Sequence, residues 1–191
     1  AEQPAPSATP ATTPAPRAQQ PAFEPQPTRR PAAPRIVAIG DIHGDVDALR
    51  RALKLGGAID DAGSWIGDDL VVVQLGDLLS RGDDEPEVLA LMDRLTDEAR
   101  RAGGALVRIT GNHEGMNVRG DFRYATPEGL TDFAGLPGVS PDDPRVARYP
   151  LMHRARAAAF LPGGRIARQL AEGNVVALVG DTAFAHGGIT S

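Results

Sequence analysis

The chain of 191 residues contains no cysteine. That absence excludes a disulfide framework, a thiolate zinc site and a cysteine nucleophile together, and it leaves the compartment open. Long apolar runs are missing as well: none approaches the roughly 20 residues a membrane-spanning helix requires, so no transmembrane segment is expected. Basic charge is not in excess. The net charge is −5, and the first 34 residues carry Arg17, Arg29 and Arg30 against Glu2 and Glu24, which leaves −6 on the remainder. An acidic domain without a basic stripe is a poor candidate for binding nucleic acid or an anionic lipid surface.

The first 34 residues also lack Val, Ile, Leu and Met; they hold one aromatic, Phe23, with 9 alanines and 10 of the 17 prolines. Such a segment cannot bury enough apolar surface to offset its ordering entropy, so residues 1–34 are expected to be a disordered Pro/Ala-rich linker of extended polyproline character. Opening at Ala1 and running into Pro/Ala repeats, the segment reads as the remainder of a cleaved secretory signal that spaces the domain from a membrane or wall. Export to the periplasm or cell envelope is therefore expected, with a cytoplasmic location left open. Residues 35–191 are long enough for a real hydrophobic core. The chain stops at Ser191, five residues after His186, in what reads as an unfinished sheet edge, so the domain is expected to be incomplete at its C-terminus.

What is present alternates. Ile36-Val37-Ala38-Ile39 and Val71-Val72-Val73-Gln74-Leu75 are short apolar runs closed by glycine, the pattern of buried strands. Residues 45–55 space Val46, Leu49, Leu53 and Leu55 for a short helix. Val88, Leu91, Met92, Leu95 and Ala99 recur at helical spacing, with Asp84 and Glu87 resembling a capping box and Gly103-Gly104 ending the helix. Ala105 to Ile109 makes a third strand; Val175–Val179 and Ala183–Ala185 suit a hairpin turning at Gly180-Asp181. Residues 115–150 break the pattern as an insertion, before a helical stretch from Leu151 to Ala171 that Pro162-Gly163-Gly164 interrupts. Strand alternating with helix is the order of an α/β layered fold.

The informative residues follow the strands: Gly40-Asp41-Ile42-His43-Gly44, then Gly76-Asp77-Leu78-Leu79-Ser80-Arg81-Gly82, then Gly111-Asn112-His113-Glu114, and finally Ala185-His186-Gly187-Gly188. In an open α/β sheet, ligands bind outside the carboxyl ends of the strands, so these residues should converge. Asp41, His43, Asp77, Asn112 and His186 offer oxygen and imidazole donors without thiolate, a set suited to manganese, iron or zinc. A carboxylate reached from two sides can bridge a pair of metals that clamps phosphate oxygens, and Asp77 is the natural bridge.

These four motifs resemble those of the metal-dependent phosphoprotein phosphatases, within the calcineurin-like metallophosphoesterases, over residues 36–188. The runs Arg81-Gly82-Asp83-Asp84-Glu85, Asn112 to Val118 and Gly120-Asp121-Phe122-Arg123-Tyr124 are similar to the Shewanella-like branch. The resemblance implies a β-sandwich flanked by helices and hydrolysis of phosphoserine, phosphothreonine or phosphotyrosine in a protein substrate. It further implies two divalent ions, manganese foremost, with Asp41 and His43 on the first, Asp77 bridging, and Asn112 and His186 on the second. Arg81, with Asn112, would hold the substrate phosphate; His113 would be the general acid, and a metal-bridging hydroxide would attack phosphorus directly.

Two departures from the family pattern stand out. Ser80 occupies the place of an aspartate that partners the catalytic histidine, so His113 should be a weaker or less well oriented acid unless Glu114, Asp83 or Asp84 compensates. A further metal-binding histidine and a second phosphate-gripping arginine would fall beyond Ser191. Two alternatives follow: a diadenosine tetraphosphate hydrolase, which usually has Asp and Ala where this chain has Glu114 and Gly187, and a non-catalytic phosphate-binding pseudophosphatase. His153 is expected at the surface and Trp65 in packing. Arg119 and Arg123 are expected to be chiefly solvated, with a minor alternative that Arg123 reaches the phosphate.

Overall fold

A computed structural model describes residues 25–189. Its centre is a parallel sheet of β2 (Ile36–Ile39), β3 (Val71–Gln74) and β4 (Ala105–Arg108), with β3 in the middle and register Ile36↔Val71↔Ala105. Side chains alternate across a strand, so each face carries its own set. Val72 and Leu106 point to one side, where α1 (Val46–Leu55) and α2 (Glu85–Ala102) cover them with Leu49, Leu53, Val88, Met92 and Leu95. Val71, Val73, Ala105 and Val107 point to the other, where Ala177 and Val179 of a second sheet close a smaller core. That sheet has the order β1 (Arg29–Arg30), β5 (Val176–Val179), β6 (Thr182–Ala185). The result is a sandwich of two sheets with helices outside one of them, the α/β class expected.

Local chemistry explains the boundaries. Gln74 is buried at the end of β3 because its amide takes up loose backbone groups: Nε2 donates to the Gly40 and Gly76 carbonyls, and Oε1 accepts from Gly76 N–H. Gly103 ends α2 at φ 92°, a conformation few L residues tolerate. The expected capping box does not form. Asp84 is the N-cap residue of α2, but its carboxylate makes no cap there and turns to Val46 N–H at the start of α1, 3.5 Å away. The hairpin forms as expected, pairing Val179 with Thr182 around Gly180 at φ 61°.

The linker expectation fails for its last residues. β1 pairs parallel with β5, Arg29 opposite Leu178, and Gln26 lies along the open edge of β4. There Gln26 Oε1 accepts from Arg108 N–H (3.2 Å) and Nε2 donates to the Leu106 carbonyl (3.4 Å). Backbone and amide pairing hold this stretch without aliphatic side chains, a force that apolar content cannot register. The remainder of the linker, residues 1–24, lies outside the described residues.

The 115–150 insertion is not a surface loop. It begins inside α3 (Asn112–Val118), holds α4 (Pro144–Ala147), and sends Phe122, Leu130, Phe133 and Val146 into the main core. The stretch after it divides at Pro162-Gly163-Gly164 into α5 (Arg154–Phe160) and α6 (Arg165–Ala171), as expected. No helix among the described residues is long and apolar enough to cross a membrane.

Candidate metal centre

The loops leaving β2, β3 and β4 turn sharply enough to bring their side chains back over the sheet ends. His43, Asp77, Ser80 and Arg81 have φ values of 52°, 55°, 69° and 71°. Left-handed backbone at four non-glycine residues is costly and persists only where the surroundings impose it. The glycines beside them are needed for closeness. A Cβ on Gly44 would lie 2.8 Å from the Gly82 carbonyl group, and one on Gly76 would lie 2.7 Å from Gly111 N.

Hydrogen bonds lock the loops together. Ile42 N–H and His43 N–H donate to the Asp77 carbonyl, and Gly44 N–H to that of Leu78. The buried Glu114 carboxylate accepts from three N–H groups in two loops: Asp77 (2.8 Å), Leu78 (2.9 Å) and Gly111 (2.8 Å). Burial pushes the Glu114 carboxyl up, and those donors pull it back.

Asp77 stands at the centre. Its Oδ1 accepts from His113 N–H (2.9 Å), which leaves Oδ2 facing three imidazoles: His186 Nε2 at 3.4 Å, His113 Nε2 at 3.9 Å and His43 Nε2 at 4.0 Å. Asp41 faces His43 Nε2 at 3.7 Å and His186 at 3.9 Å. Two groups of metal-ligating atoms result, Asp41/Asp77/His186 and His43/Asp77/His113, and Asp77 belongs to both. The geometry brings Asp41, His43, Asp77, Asn112 and His186 to one spot with Asp77 in both groups, but it sets Asp41 with His186 and His43 with His113, where Asp41 with His43 was expected.

The imidazoles are oriented as metal ligands are. His43 Nδ1 lies 3.0 Å from the Leu79 carbonyl and His186 Nδ1 2.9 Å from that of Leu75. Donation from Nδ1–H to a backbone carbonyl fixes the tautomer and leaves the Nε2 lone pair aimed into the site. For His186 that lone pair meets Asn112 Oδ1 at 2.9 Å as well as the Asp77 carboxylate. Three acceptors turned on one another form an arrangement that a cation satisfies. The residues present fit divalent metal.

His113 is 2 % exposed and packs edge-on to His43, with ring centroids 4.7 Å apart, and beside Tyr124 at 5.1 Å. Burial lowers its pKa, while Asp77 acts in the opposite direction. Its Nδ1 is buried without a hydrogen-bond partner among the described residues. The Ser80 hydroxyl instead accepts from Asn117 Nδ2 (3.2 Å), and none of the expected substitutes serves His113 Nδ1: Glu114 staples backbone, Asp84 reaches α1, and Asp83 makes no hydrogen bond to it. Arg81 Nη1 sits 3.1 Å from His43 Nε2, its guanidinium 5.5 Å from the Tyr124 ring centre, at the mouth of the centre. Arg123 is exposed and pairs with Asp121 at 2.7 Å. Trp65 packs against the main core as expected. His153 is half-buried rather than free, its ring 6.5 Å from Phe122.

A helix-flanked sandwich with carboxylate, imidazole and amide donors at its strand ends, one carboxylate shared by two ligand groups, is the architecture of a metal-centred phosphoester domain. The chain belongs to the calcineurin-like phosphoesterase family, whose family model matches residues 34–190. It is similar to Shewanella-like protein phosphatase 2 of Arabidopsis thaliana, 40% identical over 85% of this chain and 48% of that protein. Similarity extends to Shewanella-like protein phosphatase 1 of Plasmodium berghei, 37% identical over 52% of this chain and 27% of that one. Among solved structures, the cold-active protein-tyrosine phosphatase of a psychrophilic Shewanella species superposes with a TM-score of 0.70 at 28% identity. That match covers 88% of this chain and 46% of the other. The chain thus spans about half the length of these relatives or less.

Proposed function

We propose that this chain carries the metal centre of a protein phosphatase that hydrolyses phosphoserine, phosphothreonine or phosphotyrosine. The observation that carries the reading is Asp77 Oδ2 shared among imidazoles whose Nε2 lone pairs are aimed at it, with Arg81 at the opening. Asp41, His43, Asp77, Asn112 and His186 would hold two divalent ions; their oxygen and nitrogen donors suit manganese, iron or zinc, and manganese is put first on the family resemblance alone. Such ions supply Lewis acidity and make water nucleophilic near neutral pH.

The chain's own groups do the rest. Arg81 offers a planar fork of N–H donors to two phosphate oxygens, and the Asn112 amide adds a donor beside it. His113 carries the proton for the leaving oxygen. Because no described residue holds its Nδ1, imidazolium at that position is poorly stabilised, and turnover should be slow for this chemistry. The names of the relatives favour a protein substrate over diadenosine tetraphosphate. Composition alone supports the further reading that the domain works outside the cytoplasm, in the periplasm or envelope, which cell fractionation tests.

The deciding experiment is an assay with manganese on phosphoserine and phosphotyrosine peptides and on diadenosine tetraphosphate, with His113→Ala as the control. Metal-dependent phosphate release from peptides that His113→Ala abolishes supports the reading. Release from the dinucleotide alone overturns the substrate class, and phosphate binding without turnover assigns a binder.

A further inference from the structure

Among the described residues, one fully buried charge lies outside every motif. Arg156, on α5, is fully enclosed, with its guanidinium 4.6 Å from the ring centre of Phe160 and 5.5 Å from that of Phe133. Its nitrogens are nonetheless satisfied: Nη1 and Nη2 donate to Glu85 Oε2 (2.5 Å) and Oε1 (2.8 Å), Nη1 also to the Gly129 carbonyl (2.6 Å), and Nε to Asn117 Oδ1 (2.8 Å). A buried ion pair is a poor device for stability alone, since apolar residues of similar volume often serve as well. What it offers is direction, because each partner holds a fixed acceptor or donor toward something else.

Both side-chain partners point at the centre. Glu85 Oε1 accepts from Ser80 N–H (2.5 Å), and Asn117 Nδ2 donates to Ser80 Oγ (3.2 Å) and to the His113 carbonyl (2.9 Å). Ser80 and Arg81 form the left-handed pair that aims Arg81 at the opening. The backbone N–H of Arg81 donates to the Tyr124 carbonyl at 2.8 Å. Such a turn relaxes once its outer bonds are lost.

We propose that Arg156 is a positioning residue: through Glu85 it holds the Ser80–Arg81 turn in which Arg81 meets phosphate, and through Asn117 it sets the backbone of His113. The inference rests on the phosphatase reading. It makes the insertion and α5 a functional part of the centre rather than packing.

The test is a double-mutant cycle on the manganese-loaded full chain. Inorganic phosphate binding is read by calorimetry, and kcat and KM are read on a phosphopeptide. Arg156→Lys should weaken phosphate roughly tenfold, the scale expected when a positioned group shifts by a fraction of its reach. In an Arg81→Ala background the same change should have almost no effect, because the group through which it acts is gone. Equal weakening in both backgrounds, or none in the first, overturns the proposal. Asn117→Ala leaves the Glu85–Arg156 pair in place but frees both the Ser80 hydroxyl and the His113 carbonyl, so it should lower kcat and weaken phosphate less than Arg156→Lys does. Circular dichroism shows which variants fold. Should Arg156→Lys not fold, Asn117→Ala decides alone, and an unchanged kcat there refutes the link. Wild-type protein that neither binds phosphate nor hydrolyses the peptide overturns the phosphatase reading itself, a result distinct from additivity in the cycle.

Discussion

Replacing Glu114 by glutamine tests how the loops of the centre are held. The side chain has three N–H donors around it: Oε2 accepts from Asp77 and Gly111, and Oε1 from Leu78. Glutamine is nearly the same size, so no cavity opens. Its one carbonyl oxygen can keep the pair at the Oε2 position, but its NH2 must then face Leu78 N–H, donor against donor. One bond to a charged acceptor is lost and two others weaken to neutral strength, a cost of about 2–4 kcal/mol. For a domain of this size, a loss on that scale lowers Tm by roughly 5–15 °C. Thermal unfolding followed by circular dichroism, with and without manganese, measures it. A fall of less than about 2 °C would refute the argument. Glu114 would then already be neutral in the native protein, burial having outweighed its three donors.

Three further outcomes follow from the geometry. Asp77→Asn keeps shape but removes the charge common to both ligand groups, so calorimetric titration with manganese should lose every binding step; one surviving step of wild-type affinity would show that Asp77 is not shared. Gly44→Ala forces a side chain onto a left-handed residue pressed against Gly82. About 1–3 kcal/mol of strain should appear as a lowered Tm together with reduced phosphate release, and an unaltered Tm would argue against the close packing of the two loops. Arg123→Ala should leave the Michaelis constant for a phosphopeptide unchanged, because Arg123 is occupied by Asp121; a raised constant would return it to the site.

The parts of this molecule that a reader of the sequence can find are those written locally. Val71 to Gln74 announces a buried strand because four side chains in a row avoid water on both faces, and the glycine after it marks where the chain must turn. Asp41, His43, Asp77 and Asn112 could be gathered because each follows a strand of one parallel sheet, and parallel strands share one end. His186 follows β6 of the second sheet, a strand antiparallel to β5, and was gathered by its place at a strand end alone. Arg156 was illegible for the opposite reason. Its partners Glu85 and Asn117 are 71 and 39 residues away, and an arginine among alanines reads as a solvated face. Asp84 deceived in a different way: the spacing of a capping box was present, yet its carboxylate was drawn to the neighbouring helix. His113 could be assigned to the site, but the bareness of its Nδ1 depends on where the side chains of Ser80, Glu114 and Asp84 point.

The amide of Gln26 has a consequence of another kind. A parallel sheet of valine and leucine that ends in an open strand offers its unpaired backbone groups as a template on which a foreign chain can add. Gln26 fills the first part of that template with one acceptor and one donor, meeting Arg108 N–H and the Leu106 carbonyl, and the backbone of Asn174 takes the Arg108 carbonyl and Thr110 N–H beyond it. A side chain carries no second edge to offer, so the ladder terminates. β1 covers β5 differently, with backbone, and becomes that sheet's edge itself, kept to two residues. A shortened protein starting at residue 35, where apolar composition suggests the domain begins, would keep every metal ligand and still bare both edges. Its defect would be self-association rather than lost chemistry: this short polar strip insulates the sandwich from its own kind.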